Sequence, residues 1–385
     1  MDKGLCAIVE LGDHYKISLQ SQFLLEQKYN CKHYILKSNR NEDAILNSFC
    51  NEKNKLMKFN NIFSLLWKLN KDSYMFDIVY FQTFLDHEPN RYRVFVLLFL
   101  LINRKKVVVA IRNGFSYLPN KVKTYLESYK PLNKSKFKNF HIQFRQYLRV
   151  WFNYLMLPLY QSCVFESRTQ MIFFKKNLRA QYKLKYGVVF DKYSLENKNI
   201  TPKIDIYKNK IMIGLLGGVN SQRRDYKVLL DALKILDKEL REKISFTILG
   251  HTYCKEAPKI IDGLRNFVDV VTINSFLSEE EFKFYGKGCS FLLSPLKNDK
   301  PYGTLAGTGS FGDFIFLSRT IILPMKVDPL QEFGKFCLYY NDINGLKNIF
   351  ENIIKNKKSG IIEYEDLRNF SKEKVLQDLE DNGII

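Results

Sequence analysis

IMIGLLGGVNSQRR, residues 211–224, decides how this chain is read. Its first six residues form a continuous apolar run, short enough for a strand buried on both faces of a parallel sheet. Two glycines and a polar turn follow at once. Glycine lets backbone N–H groups approach a phosphate, and the helix expected from about Asp225 presents its N-terminal end to the same place. Arg223 and Arg224 can neutralise a diphosphate and fork onto its oxygens. Taken alone, the stretch suits a tight strand-to-helix turn with solvated arginines equally well.

Working outward, the alternation of strand and helix continues on both sides. Toward the C-terminus come a helix over Asp225–Leu240, a strand over Ile244–Leu249 that runs into Gly250-His251, and a strand over Val270–Ile273. A helix then opens at Ser278, with Glu279, Glu280 and Glu281 in its first turn. A strand over Ser290–Leu293 ends at Pro295, the glycine-rich stretch Gly303–Gly312 leads into a helix at Asp313–Leu317, and a strand over Thr320–Leu323 is stopped by Pro324. Toward the N-terminus, strands are expected at Leu5–Val9, His33–Leu36, Asp77–Phe81, Val107–Ile111 and Cys163–Glu166, with helices over Ser18–Glu26, Tyr92–Ile102 and Ser167–Lys176. Strands separated by helices in this way are βαβ units with parallel sheets. The polar segment Glu196–Lys210 separates two such series. The expected domains are 1–198, 199–358 and a C-terminal helical tail, 359–385.

KPYGTLAGTGSFGD, residues 300–313, is a second helix start built for an anion. Gly307, Gly309 and Gly312 interleave with Thr308 and Ser310, and Asp313 follows. A carboxylate beside a phosphate site suits a ribose, because two hydroxyls can donate to it. The plainer reading is a flexible loop with Asp313 as a first-turn charge; two such starts in one α/β domain weigh against it.

In order, these parts resemble the donor-binding domain of GT-B glycosyltransferases: the GG turn with a basic residue after it, the strand ending in Gly250-His251, the helix opened by Ser278-Glu279-Glu280, the strand ending Ser294-Pro295, then GTGSFGD and ILP. The likeness is close over the second half and general over the first. It implies two Rossmann-like α/β domains facing each other across a cleft. It further implies a donor diphosphate held at Gly217, Gly218, Asn220, Arg223 and Arg224, with His251 nearby. Thr308, Gly309 and Ser310 would cover the phosphates, and Asp313 would bind the ribose. Where many relatives carry two glutamates eight positions apart, this chain has Leu305 and Asp313.

The first half is then expected to bind the acceptor. Gly12 and His14 follow the first strand, Asp86-His87-Glu88 follows the DIVYF strand, and Arg112-Asn113-Gly114 follows VVVAI, all beyond carboxyl ends of parallel strands, where ligands bind. Gly12 joins the nucleotide-binding candidates. An inverting reaction needs a base, for which His87, Asp86 and His14 are the candidates; a retaining one needs none. For the histidines, surface loop positions are an equally good account.

The net charge of +20 over 385 residues implies an anionic partner: nucleic acid, an acidic membrane face or a phosphorylated ligand. No RNP, helix-turn-helix or finger pattern points to nucleic acid. Seven cysteines without CxxC spacing suit a reducing compartment, and Met1–Glu10 does not suit a signal peptide. Lys121–Tyr160 is basic and aromatic, with Glu127 its only acid; Arg145 and Arg149 with Phe144, Tyr147, Leu148, Trp151, Phe152 and Leu155 suit an interfacial helix. No DxD pair offers a carboxylate site for a divalent cation, so no metal and no cofactor besides the donor is expected.

The expectation is therefore a cytoplasmic enzyme, peripheral on the inner membrane face. It moves a sugar from a nucleotide-sugar donor to a lipid-linked saccharide acceptor in surface polysaccharide synthesis. The alternatives are a nucleotide-sugar epimerase of similar shape and a basic nucleic-acid-binding protein.

Overall fold

The computed structural model describes residues 3–11, 21–22, 24–36, 56–83, 99–103, 107–121, 136–178, 182–190, 192–193, 210–273, 277–356 and 359–385. They form two compact units. One comprises Met1–Asp191 with Leu305–Gly307 and Lys372–Ile385; the other comprises Lys192–Thr304 with Thr308–Ser371.

The first unit is a seven-stranded sheet in the order β3-β2-β1-β4-β5-β6-β7, with every neighbouring pair parallel. Its strands are β1 (Gly4–Glu10), β2 (Tyr29–Leu36), β3 (Leu56–Phe59), β4 (Ile78–Thr83), β5 (Val107–Ala110), β6 (Ser162–Phe165) and β7 (Lys185–Val188). Alternation along the strands sends Val9, Phe81, Val109 and Phe165 to one face. That face shares one apolar core with α1 (Ile62–Asp72), the helical residues 99–103, α2 (Lys136–Met156) and α3 (Arg168–Asn177), through Leu65, Leu69, Phe99, Leu100, Val150 and Phe174. Lys372–Ile385 also belong to this unit, where Lys28 pairs with Glu380 at 2.8 Å and Lys185 Nζ donates to the Gly383 carbonyl at 2.5 Å.

All five strands expected in the first half are present. β3 and β7, LMKF and KYGV, carry too little apolar alternation to stand out. Of the helices expected over Ser18–Glu26 and Tyr92–Ile102, residues 21–22, 24–26 and 99–102 are described; all are helical except Glu26, which lies in a turn.

The second unit is a six-stranded parallel sheet in the order β10-β9-β8-β11-β12-β13. Its strands are β8 (Ile211–Leu216), β9 (Ile244–Leu249), β10 (Asp269–Thr272), β11 (Phe291–Leu293), β12 (Ile321–Pro324) and β13 (Cys337–Tyr340). Its longer helices are α4 (Tyr226–Ile235), α5 (Ala257–Arg265), α6 (Glu279–Gly288), α7 (Ser310–Leu317) and α8 (Ile343–Lys355). Two helix expectations need correction. The single helix over 225–240 breaks after Ile235, because Leu236 turns extended and buries its side chain in the core before a short turn at Lys238–Arg241. Helix α7 begins at Ser310, not at Asp313, which places Gly312 inside it; Phe311, Phe314 and Ile315 bury its apolar face. Helix α6 opens with a full capping box, Ser278 Oγ accepting from the Glu281 N–H and the Glu281 carboxylate accepting from the Ser278 N–H.

Among the described residues no helix is long and apolar enough to cross a membrane.

Candidate functional site

An open parallel sheet binds ligands beyond its carboxyl edge, at the point where strand order reverses. In the second unit that point lies between β8 and β11, which pair directly although two strands separate them in sequence. The loops that leave these strands are tied together by backbone. The Asp225 N–H donates to the Pro295 carbonyl at 2.6 Å, the Lys297 N–H donates to the Arg223 carbonyl at 3.1 Å, and Arg224 bridges Leu296. The loop after β9 joins from the other side, with the Val219 N–H donating to the His251 carbonyl at 2.9 Å.

The glycines that opened the reading are needed here sterically. Gly217 has φ of +74°, and a Cβ on it would stand 1.8 Å from Arg224 Nη2. A Cβ on Gly250 would stand 2.1 Å from the Gly217 carbonyl carbon, so the two loops meet backbone to backbone. Against Gly218 packs the His251 imidazole, which stacks on Tyr253 at 6.0 Å between centroids. The Asn220 side chain accepts from the Gln222 N–H at 2.7 Å and so shapes the turn, as asparagine does in tight turns.

The two arginines differ. Arg224 is anchored: its Nε donates to the Leu216 carbonyl at 2.8 Å, and burial pulls its guanidinium below the ordinary value while the electrostatic effect of Tyr226, Tyr302 and Asp313 opposes that pull. An arginine remains cationic through such a shift. Arg223 is exposed, and its Nε donates to the Tyr302 hydroxyl at 3.0 Å with the guanidinium 5.3 Å from that ring. A half-buried, pre-oriented cation just beyond the end of the central strand costs little reorganisation when an anion arrives.

Glu256 holds the rest of the turn, accepting from the Ser221 N–H at 2.6 Å and from its hydroxyl. These two bonds keep its carboxyl below the ordinary carboxylate range. A depressed folded-state value means that the contribution is complete above the unfolded value of about 4.3 and disappears as pH falls through the depressed one. Glu256→Gln should therefore weaken nucleotide binding at neutral pH by about 1 kcal/mol, a difference from wild type that shrinks on acidification. Calorimetric titration at two pH values checks this; a constant difference would remove the carboxylate from the account.

At α7 a chain of hydroxyls lies beneath the helix start. Ser294, just after β11, shares a 2.8 Å hydrogen bond with Ser310, Thr308 Oγ1 lies 3.1 Å from Ser310 Oγ, and Gly309 is the N-cap. Among the described residues, a Cβ built on Gly309 at the helix end meets nothing within 4 Å. Asp313 stands in the first turn, paired with Lys192 at 2.6 Å. The Lys192 ammonium also lies 4.1 Å from the Phe282 ring centroid and 5.3 Å from that of Phe316. Nothing in the local sequence announced Lys192 or Glu256, which reach the site across many intervening residues; Tyr302 lies inside the stretch 300–313 but is not singled out there.

The first unit brings other expected residues together. Arg112 pairs with Glu166 at the carboxyl edge of β5 and β6, and Gln170 Nε2 donates to the carbonyls of Ile111 and Arg112. Leu305–Gly307 close over them: the Gly307 N–H donates to the Arg112 carbonyl at 2.7 Å, the Gly114 N–H donates to the Leu305 carbonyl at 2.6 Å, and Asn113 bridges Ala306. Leu305 is buried in this unit's core, so the position where many GT-B relatives carry a glutamate packs as a hydrophobe here. Gly12, His14, Asp86 and His87 lie outside the described residues. Among the described residues no group of three or more His, Cys, Asp or Glu side chains could hold a metal ion.

Solved structures align with nearly all of the chain. The lipopolysaccharide outer core galactosyltransferase WaaB, in its apo form, matches with a TM-score of 0.59 at 11% identity, over 98% of this chain and 98% of that one. The chain has the GT-B fold. The same fold relates it to S. aureus MnaA in a co-structure with UDP, at a TM-score of 0.55 and 10% identity over 98% of this chain and 94% of that one. A putative UDP-N-acetylglucosamine 2-epimerase from Listeria monocytogenes also matches, with a TM-score of 0.54 and 8% identity over 97% and 94%. No protein-family model matches the chain, and no curated protein does. At such identities the likeness is one of fold alone.

Proposed function

We propose that this chain is a glycosyltransferase, binding a nucleotide-sugar donor in the second unit and transferring the sugar to a hydroxyl of a lipid-linked saccharide in surface polysaccharide synthesis. The observation that carries the reading is the site at the β8/β11 switch point. There an anchored Arg224 and the start of α7 supply positive potential for a diphosphate, and Asp313 supplies an acceptor for a ribose. In the reaction the bond between the anomeric carbon and the β-phosphate oxygen breaks, and the acceptor oxygen bonds to that carbon. Charge then grows on the leaving diphosphate, which Arg224, Arg223 and the α7 N-terminus stabilise without a metal ion. The acceptor proton passes to a base in the first unit, with His87, Asp86 and His14 as candidates, if the reaction inverts.

Thermal-shift screening against UDP, GDP, CMP and dTDP tests the donor site. One base should raise the melting temperature clearly above the others, and EDTA should leave that shift unchanged. Turnover of the nucleotide sugar without any acceptor would favour the epimerase alternative. Salt-sensitive nucleic-acid binding with no response to nucleoside diphosphates would replace the enzyme reading with the nucleic-acid one.

The same proposal places the protein at the inner membrane face through α2. Phe144, Tyr147, Leu148, Trp151 and Leu155 are exposed along it, as an interfacial helix requires, whereas Arg149 and much of Phe152 face the core and are corrected out of the lipid-facing set. Replacing Lys136 and Lys138 by glutamine should weaken binding to anionic vesicles by at most roughly 1 kcal/mol each and leave nucleotide affinity unchanged. Unaltered vesicle sedimentation would reduce α2 to an ordinary packing helix.

A further inference from the structure

The exposed apolar side chains of the described residues are concentrated on one layer of the first unit. Most of the large ones stand on α1 and the turn after it, on residues 99–103 and on α2. These helices cover the same face of the same sheet, since all three contribute to the single core under that face. They are also consecutive across it: α1 links β3 to β4, residues 99–103 lie between β4 and β5, and α2 links β5 to β6, while β1, β4, β5 and β6 are neighbours in the sheet. Asn103 Nδ2 reaches Asn70 Oδ1 at 3.4 Å and ties the middle helix to α1.

On each helix the inward residues are the core and the outward ones are apolar as well. Along α1, Ile62, Leu65, Leu66 and Leu69 are buried, while Phe63 and Trp67, one turn apart, face out, Trp67 with 66% of its surface exposed. Ile102 is 69% exposed on the middle helix. Phe144, Trp151 and Leu155 repeat the pattern along α2 at spacings of seven and four. Both tryptophans of the chain are therefore on this one layer. A soluble surface rarely gathers apolar side chains in this way without a partner.

The surrounding sequence indicates which partner. Arg104-Lys105-Lys106 follow Asn103 directly, α2 carries Lys136, Lys138 and Arg145 besides the buried Arg149 and no acid at all, and the Lys71 ammonium lies 5.6 Å from the Trp67 ring. Bulky aromatics interleaved with cations match an anionic headgroup layer, where indole rings rest at the boundary and lysines meet phosphate. We propose that the outer face of α1, 99–103 and α2 together is a docking surface for an anionic lipid bilayer, with Trp67 and Trp151 both entering the headgroup region. This rests on the membrane placement proposed for α2 above and widens it from one helix to a three-helix face.

Two tryptophans make the test direct. Trp67→Phe and Trp151→Phe leave one reporter each, on surfaces where phenylalanine does not disturb packing. Both proteins should bind nucleoside diphosphate as wild type does, since neither residue belongs to the nucleotide site. With vesicles of phosphatidylcholine and phosphatidylglycerol, the remaining tryptophan of each should shift its emission to the blue and be quenched by bromine-labelled lipid. Phosphatidylcholine alone should give a much weaker response. A response from Trp151 but not from Trp67 overturns the three-helix surface and leaves the single-helix placement standing. Silence at both positions, with nucleotide binding intact, removes the membrane placement while leaving the enzyme reading. A blue shift that grows with protein concentration in the absence of lipid, together with dimers in sedimentation equilibrium, would assign the face to a second copy of the chain and overturn the proposal.

Discussion

Replacing Arg224 by alanine is expected to raise the dissociation constant for a nucleoside diphosphate by roughly 10- to 150-fold, the equivalent of about 1.5–3 kcal/mol for a charge-assisted contact. Arg223→Ala should cost distinctly less. The two residues are adjacent in sequence, yet Arg224 is fixed to the Leu216 carbonyl and lies against Gly217, while Arg223 is exposed and leans on Tyr302. A side chain already ordered loses little entropy when it takes a ligand, whereas an exposed one must be ordered by it. Arg224→Lys should recover part of the affinity, because the charge returns but the fork onto two phosphate oxygens does not. The melting temperature without ligand is the control, since the Leu216 carbonyl loses its partner in both variants. Isothermal titration of the matched diphosphate decides it: if Arg223→Ala costs as much as Arg224→Ala, anchoring is irrelevant, and if neither costs anything the diphosphate binds elsewhere.

What the sequence made legible follows from how local each feature is. Five of the six strands of the second unit could be read because buried parallel strands are short apolar runs, and their order of appearance with the glycine turns already indicated a Rossmann-like series; β13, CLYY at the sheet edge, was not among the strands expected. β3 and β7 could not, since four-residue edge strands need only a neighbour to pair with and carry little pattern of their own. The start of α7 was placed late because Gly312 reads as a loop residue, yet the burial of Phe311, Phe314 and Ile315 outweighs the cost of about 1 kcal/mol of a glycine within a helix. Arg149 illustrates the same limit: a basic residue in a basic stretch reads as solvent-facing, and only the helix phase, fixed by which side meets the sheet, sends it inward.

The site shows a similar division. Gly217, Gly218 and Arg224 lie in the loop that leaves β8, and Ser310 opens a helix after a glycine-rich loop, so their grouping was readable from the alternation of strand, turn and helix. Glu256 and Lys192 come from other segments and are brought in by the loop paths, which no periodicity encodes. Lys192 matters most, because it gives Asp313 a counter-charge that the sequence had left open for a ribose.

That pairing sharpens the test of Asp313, for which the expected loss on Asp313→Ala is again about 1.5–3 kcal/mol of nucleoside diphosphate affinity. The carboxylate lies in the first turn of α7, close enough to Arg224 to act on it electrostatically, so a ribose bound there would be continuous with a diphosphate at Arg224. One of its oxygens accepts from Lys192, and a carboxylate has acceptor sites to spare for two hydroxyls. Lys192→Met keeps an unbranched stem beside Phe282 and Phe316 but removes the ammonium. If the carboxylate is the ligand and Lys192 only its partner in the free protein, Lys192→Met should bind nucleotide about as well as wild type or slightly better. A structural ion pair predicts the opposite, with both variants losing thermal stability alike and nucleotide affinity alike. The ribose itself supplies the decisive comparison: a 2′,3′-dideoxy nucleotide should bind wild type and Asp313→Ala about equally, and more weakly than the parent nucleotide binds wild type. Should wild type hold the dideoxy analogue as tightly as the parent, Asp313 serves the Lys192 pair and the helix start, and the sugar of the nucleotide is recognised by other residues.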